Sequence, residues 1–364
     1  MHASNSPESA FSRPSRAPSL TDLLPKEIER AISAVAGARP FWGRVVRRWL
    51  FERNARSFGE MTELPAGSRS VLSERFRLRR IRCAHSELDE DGTQRLGYLL
   101  DDGEWIESVL IPDAERTTLC ISTQVGCPVR CVFCASGMAG LRRQLTTGEI
   151  VEQVLEARAR LGEPSALTNV VFMGIGEPLL NFRNVARALE TLNSPHGLAI
   201  GARRVTISTV GWPERIDRLA ALGRPYNLAI SLHAADRELR RRIVPHGGDP
   251  PLEELLSAAR RYFEATGREV TFEYVLVAGL NDRKEHALAL VRLLQDFPGT
   301  VNLIPLNPVD ALPFKTPSGA RHSVFRRILE RGGLRVTTRR PRGRGVAAAC
   351  GQLRLERQRA TSPS

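Results

Sequence analysis

Cys127, Cys131 and Cys134 stand in the string GCPVRCVFC, a C-x₃-C-x₂-C triplet. Thiolates at this spacing can hold three irons of a [4Fe–4S] cluster and leave the fourth without a protein ligand, whereas such clusters are ordinarily closed by four cysteines. An open metal position is a reactive one, as in catalytic zinc sites. The alternatives are a zinc site or three unconnected thiols. Zinc takes paired CxxC or Cys/His ligands that sum to four, and the chain offers no second pair near the triplet. A strand-like apolar run at 118–122 precedes the triplet and a helix-like run at 148–161 follows it, so it falls on a loop at a strand end.

The elements that must position this loop alternate from about residue 115 onward. Strands are expected at 119–122, 169–174, 205–209, 227–232, 269–277 and 300–305, with helices at 148–161, 182–192, 213–222, 252–266 and 284–296 between them. Six strands with crossover helices imply parallel β/α units. The fold class is α/β, and in β/α barrels the chemistry lies at the C-terminal ends of the strands. Before it, apolar residues recur at helical spacing over 41–51, which predicts a small helical unit. Asp91-Gly92 and Asp102-Gly103 lie between apolar runs, the signal of a three-stranded antiparallel meander. The chain then divides into a disordered tail at 1–19, a helical, RNA-binding-like unit at 20–73, a β-meander linker at 74–112, a core at 113–350 and a polar tail at 351–364.

The 364 residues are 42% hydrophobic, enough for a sizeable core. No apolar run reaches the roughly 18 residues needed to span a bilayer, which argues against a membrane. Six cysteines are too few for a disulfide scaffold, and an iron–sulfur triplet suits a reducing compartment, read here as the cytoplasm. The net charge of +13 favours a polyanionic partner such as nucleic acid. Only Lys26, Lys284 and Lys315 are lysines, so clustering of arginine says more than its abundance. Nine arginines stand between positions 321 and 344 against one acid, Glu330, and Arg75, Arg77, Arg79, Arg80 and Arg82 form a second group. Arg44, Arg47, Arg48, Arg53 and Arg56 of the helical unit are further candidates for RNA contact.

Four short strings end expected strands: MGIGEPLLN at 173–181, VTIST at 205–209, ISLH at 230–233 and LIPLNP at 303–308. Their polar residues converge on one mouth of the barrel. Together with the triplet they resemble the RlmN/Cfr family of radical S-adenosylmethionine (SAM) RNA methyltransferases, over about residues 20–353. The resemblance implies an open, partial (β/α)₆ radical-SAM barrel whose cluster binds SAM through its open iron. It assigns Gly176, Glu177, Ser208, Ser231, Leu232, His233 and Asn307 to SAM binding. It further matches Cys350 and Cys120 to the family's catalytic pair and Glu107 to its general base.

Adenine C2 and C8 are poor nucleophiles, so the family first moves a methyl from SAM to the thiol matching Cys350. A second SAM is reduced to a 5′-deoxyadenosyl radical, which takes a hydrogen from that methyl, and the carbon radical adds to the base. The thiol matching Cys120 then breaks the thioether, leaving a disulfide that cellular thiols reduce. The expected product is 2-methyladenosine in 23S rRNA, with tRNA as a further candidate substrate and an electron donor such as flavodoxin as partner. The rivals are Cfr-type methylation at C8 and a non-catalytic iron–sulfur RNA-binding protein. The latter would not need Cys120, Cys350 and Glu107 together. Cys83 matches no family position and is expected to be structural. Two departures bear on which RNA or ring carbon is modified: Gly345 stands where the family usually has Asp, and Ala135-Ser136 where a Ser-Thr pair is commoner.

Overall fold

The helical spacing at the start of the chain closes a small packed unit. The computed structural model describes residues 17–247, 250–338 and 342–353. Within them, α1 (Pro25–Ser33), α2 (Trp42–Phe51) and α3 (Ala66–Arg75) come first. Ile28, Ile32, Val46, Leu50 and Leu72 of these helices are fully buried. Most of both expected tails lies outside the described residues. The unit is latched to the rest by polar contacts: Asp22 Oδ1 accepts from Gly148 N–H at 2.8 Å, and Arg187 pairs with Glu27 at 2.5 Å.

The two Asp-Gly turns follow. They join β1 (Arg82–Leu88), β2 (Gln94–Leu99) and β3 (Trp105–Pro112) into an antiparallel meander. Asp91 and Asp102 accept from the N–H groups of Thr93 (2.9 Å) and Glu104 (3.2 Å), the local bond that makes Asp a turn former. β3 pairs antiparallel with β4 (Thr117–Cys120), so the meander continues the main sheet. β5 (Gln124–Gly126) and β6 (Leu141–Gln144) form a separate two-stranded ladder.

The β/α alternation then runs through α4 (Thr147–Leu161), β7 (Asn169–Phe172), α5 (Phe182–Asn193), β8 (Val205–Thr209), α6 (Pro213–Ala220), β9 (Asn227–Ser231), α7 (Arg237–Ile243), α8 (Leu252–Thr266), β10 (Val270–Leu276), α9 (Lys284–Leu294), β11 (Gly299–Pro305), α10 (Gly319–Arg331) and β12 (Arg335–Thr338). The large sheet has the order β1-β2-β3-β4-β7-β8-β9-β10-β11-β12. Every pairing from β4 to β12 is parallel. β1 and β12 are its two edges, so the barrel stays open.

The expected six parallel strands are present, with β12 as one more. Its residues, Arg-Val-Thr-Thr, are half-buried or exposed and carry no apolar signal. α7 and α10 were likewise hidden by their arginines. Their starts are marked by Asp236, which accepts from Leu239 N–H (2.8 Å), and Ser318, which accepts from Arg321 N–H (3.3 Å).

Candidate active site

Cys120 ends β4, and the chain passes through β5 into the triplet. The β5–β6 ladder closes the base of the loop, and Cys127 N–H donates to Gly140 O at 3.1 Å. Val132 N–H donates to Ile243 O (3.0 Å) and His246 N–H to Val129 O (3.2 Å), which packs the loop against α7. Cys127, Cys131 and Cys134 are free thiols lining one cavity of about 150 Å³ at the strands' C-terminal ends. Burial pushes Cys127 up to about 12 and Cys131 well above its ordinary range, and the neighbouring thiolates add to both. Burial also raises Cys134. Thiols in such a place ionise readily only with metal cations among them, so this donor set fits an iron–sulfur cluster. Among the described residues no three His, Cys, Asp or Glu side chains are grouped to hold a single metal ion. The ligands of a cluster bind different irons and stand wider apart than that.

Gly176, Glu177, Ser208, Ser231, His233 and Asn307 line the same cavity from the strand ends. A Cβ on Gly176 would meet Gln124 Cβ at 2.6 Å, and its φ is +110°, so only glycine lets this loop close. Glu177 accepts from the N–H groups of Leu179 (3.0 Å) and Val210 (2.9 Å). Burial nevertheless pushes its carboxyl up to about 7, against the pull of those bonds. His233 Nδ1 accepts from Val275 N–H at 3.1 Å, which leaves the ring proton on Nε2. Burial, aided by the charge of Arg240, lowers His233 to about 3 and keeps it neutral. Leu232 is fully buried and turns no side chain to the cavity. Its main chain is engaged elsewhere too, the N–H donating to Glu273 O at 3.0 Å and the carbonyl accepting from Arg240 Nε at 3.2 Å. Glu273 itself lines the cavity, held by Asn302 Nδ2 at 2.8 Å. Sequence reasoning missed it, although a carboxylate inside the apolar run VTFEYVL was a signal.

A second cavity, of about 50 Å³, holds Cys120 and Cys350 together with Val109, Ile111 and Met173. Cys350 and Asn307 line both cavities. Asn307 Nδ2 donates to Cys350 O (3.2 Å) and its Oδ1 accepts from Arg344 Nε (3.3 Å). Ser136 Oγ donates to Leu353 O (2.9 Å) and Ala135 N–H to Gly351 O (2.8 Å), so the loop of the cysteine triplet itself grips the Cys350 segment. Asp91 and Asp89 of the meander accept from the N–H groups of Gly343 (3.0 Å) and Gly345 (3.1 Å). A Cβ at position 345 would meet Asp89 Oδ1 at 2.5 Å. An aspartate there would set a second carboxylate against Asp89.

Glu107 lines neither cavity. It is buried on β3, paired with Arg95 at 3.3 Å, and Arg95 also pairs with Glu87. Strand alternation puts Glu107 on the face of Val109 and Ile111, which do line the second cavity.

Most of the N-terminal arginines are committed to ion pairs within the chain, whether buried, half-buried or, like Arg56, exposed. Arg47 pairs with Glu29 (2.7 Å), Arg56 with Glu156 (3.0 Å), Arg77 with Asp101 (2.6 Å) and Arg80 with Asp22 (2.9 Å). On α10, by contrast, Arg327 and Arg331 are exposed with no ion-pair partner among the described residues. Arg339 and Arg340 lie outside those residues.

Residues 121–291 match the model of the Radical SAM superfamily. The probable dual-specificity RNA methyltransferase RlmN of Rhodopirellula baltica is 49% identical over 88% of this chain and 86% of that protein. The protein of the same name from Thermotoga petrophila is 42% identical over 94% of this chain and its own full length. A radical SAM methyltransferase from Sphaerobacter thermophilus, solved by crystallography, superposes with a TM-score of 0.90 at 43% identity and covers 93% of this chain and 99% of that one. Such identity over almost the whole length spans the helical unit, the meander and the barrel alike, and the chain belongs to the RlmN family of radical SAM methyltransferases.

Proposed function

We propose that this protein methylates an adenine ring carbon of RNA, with 2-methyladenosine in 23S rRNA as product and tRNA as a further substrate. The observation that carries the reading is the place of Cys350, which lines both the cavity of the cysteine triplet and the cavity of Cys120. One thiol thus faces a seat for the methyl donor on one side and a resolving thiol on the other. Relatives named as RNA methyltransferases support RNA as the substrate.

Cys127, Cys131 and Cys134 would hold the cluster. Gly176, Glu177, Ser208, Ser231, His233 and Asn307 would seat SAM, with Leu232 holding the backbone between Ser231 and His233 in place. Glu177 offers a carboxylate to a cationic group of the ligand, and neutral His233 offers Nε2–H as a donor. When bound, cluster and SAM supply a 5′-deoxyadenosyl radical by one-electron cleavage, the electron coming from a donor such as flavodoxin. The chain's own residues do the rest. Cys350 carries the methyl and presents it to the base. Glu107 takes the proton that must leave the ring carbon, and Arg95 holds its carboxylate until then. The adduct radical gives up one electron, which would return to the cluster. The Cys120 thiolate attacks the Cys350 sulfur, the sulfur–carbon bond to the product breaks with its electron pair on carbon, and that carbon takes up a proton to become the methyl group. A Cys120–Cys350 disulfide remains. Two electrons from cellular thiols reset it, which suits a cytoplasmic setting. The core at 113–350 carries this chemistry. The units at 20–73 and 74–112 brace it, and the basic face of α10 meets the RNA.

The test is anaerobic methylation by the reconstituted protein with RNA, SAM and a reductant, followed by digestion and identification of the nucleoside by mass and fragmentation. 2-Methyladenosine is the expected result. 8-Methyladenosine would replace the C2 assignment, and unmodified RNA in the presence of SAM cleavage would overturn the reading.

A further inference from the structure

Arg240 on α7 is fully buried. Its guanidinium donates only to main-chain oxygens: Nε to Leu232 (3.2 Å), Nη1 to Gly247 (3.4 Å) and Nη2 to Val210. Among the described residues no carboxylate lies within ion-pair distance of it. Removing a guanidinium from water without a counter-ion is costly, and an uncharged amide can also donate to carbonyl oxygens. The surroundings point to the missing negative charge. Val210 follows β8 and lines the first cavity, Leu232 follows β9 between the lining residues Ser231 and His233, and α7 is the helix on which the loop of the cysteine triplet packs. Burial lowers Arg240 itself to about 10, so it remains a cation at neutral pH.

We propose that Arg240 is the built-in counter-charge of the cluster held by Cys127, Cys131 and Cys134, and that it raises the reduction potential of that cluster. The inference rests on the ligand assignment above. Three thiolates outweigh the charge of an oxidised [4Fe–4S] core, and reduction adds one electron more. That electron comes from a one-electron donor, which is oxidised by one; no bond is made or broken in the protein by this step. A fixed cation in surroundings that screen charge weakly favours the more negative, reduced state. Glu177, a buried carboxyl in the same cavity, acts in the opposite sense whenever it is ionised. Arg240 touches no substrate and is a positioning residue in electrostatic terms.

The test is a potentiometric titration of the reconstituted full chain, without SAM or RNA, read by electron paramagnetic resonance of the reduced cluster. Iron and sulfide are counted in each sample. Arg240→Gln keeps donors for the carbonyls and removes the charge. At the wild-type midpoint its ratio of reduced to oxidised cluster should fall at least tenfold, which is about 59 mV for a one-electron couple. Arg240→Lys keeps the charge and should stay near the wild-type midpoint. A wild-type protein without a four-iron cluster overturns the ligand assignment and the inference together. A wild-type cluster with an unshifted Gln variant, or with Gln and Lys shifted alike, overturns the charge role alone. If the Gln variant assembles no cluster, the Lys variant decides: a wild-type midpoint supports the role, and a tenfold displaced one overturns it.

Discussion

Glu152 on α4 and Glu177 after β7 are both almost completely buried, and burial pushes both carboxyls up to about 7. Each accepts two main-chain N–H bonds, Glu152 from Arg80 (2.6 Å) and Ile81 (2.8 Å), Glu177 from Leu179 and Val210. They part on the remaining side. Glu152 takes the hydroxyl of Thr21 (2.5 Å) and feels the charge of Arg79, sealed between the barrel and the N-terminal helices. Glu177 opens onto a cavity that it shares with four cysteines, three serines, a histidine and an asparagine. A raised carboxyl therefore reports burial in both places, and only the cavity with its converging groups separates a ligand site from a structural rivet.

The largest test of that contrast is at the cavity end. Cys350→Ala should abolish methylation outright. Cys120→Ala should still carry the methyl to the base and then stall, leaving protein covalently joined to RNA on a denaturing gel and released by nuclease. Neither residue touches the Glu152 junction, so both thermal midpoints should stay at the wild-type value. Free methylated RNA at the normal rate from Cys120→Ala would break the two-thiol assignment.

At the junction the effect should be on stability. Glu152 titrates higher in the folded chain than its ordinary value of 4.5. Its contribution is therefore complete below about pH 4.5 and is lost as pH rises through about 7, for a total of about 3 kcal/mol at ~1.36 kcal/mol per unit. Urea unfolding at pH 5, 6, 7 and 8 should show this decline, and Glu152→Gln should flatten part of it while leaving SAM affinity unchanged. An unaltered pH profile in Glu152→Gln would show that the rivet does not titrate.

Glu177 should behave in the opposite way towards ligand. An ionised carboxylate attracts a cationic group, so SAM affinity, measured by equilibrium binding to the reconstituted protein, should rise several-fold between about pH 6 and 7.5. Glu177→Gln should weaken binding by about 2 kcal/mol and erase that dependence. The smallest effects concern RNA. Arg327→Gln and Arg331→Gln should each lower the slope of log affinity against log salt by about one. Arg77→Gln should leave the slope alone and cost stability, because its partner Asp101 is internal.

Much of this was legible in the residues, for reasons that differ from one feature to the next. The Asp-Gly turns are local chemistry, and each hairpin formed where its turn stood. Long apolar periods placed α4, α5, α8 and β7 to β11 within a few residues. β12, α7 and α10 escaped because their exposed faces are polar and arginine-rich. The departures at Gly345 and Ser136 could be noticed in the sequence but not interpreted, since Asp89 and Leu353, their partners, are 256 and 217 positions away.

By itself the sequence determined the cysteine triplet, the order of β/α units and the candidate residues at strand ends, because spacing and period are properties of neighbours along the chain. Only the tertiary structure decided which of those groups face one another. It turned Leu232 away from the cavity, set Glu107 one residue pair from it, brought Glu273 into it and gave Cys350 two cavities to serve. It also sorted arginines that look alike in sequence: Arg77 into a pair with Asp101, Arg327 into solvent and Arg240 into the core beside the loop of the cysteine triplet. A guanidinium's role depends on its desolvation and on charges brought to it from distant segments, and neither is written in its immediate neighbours.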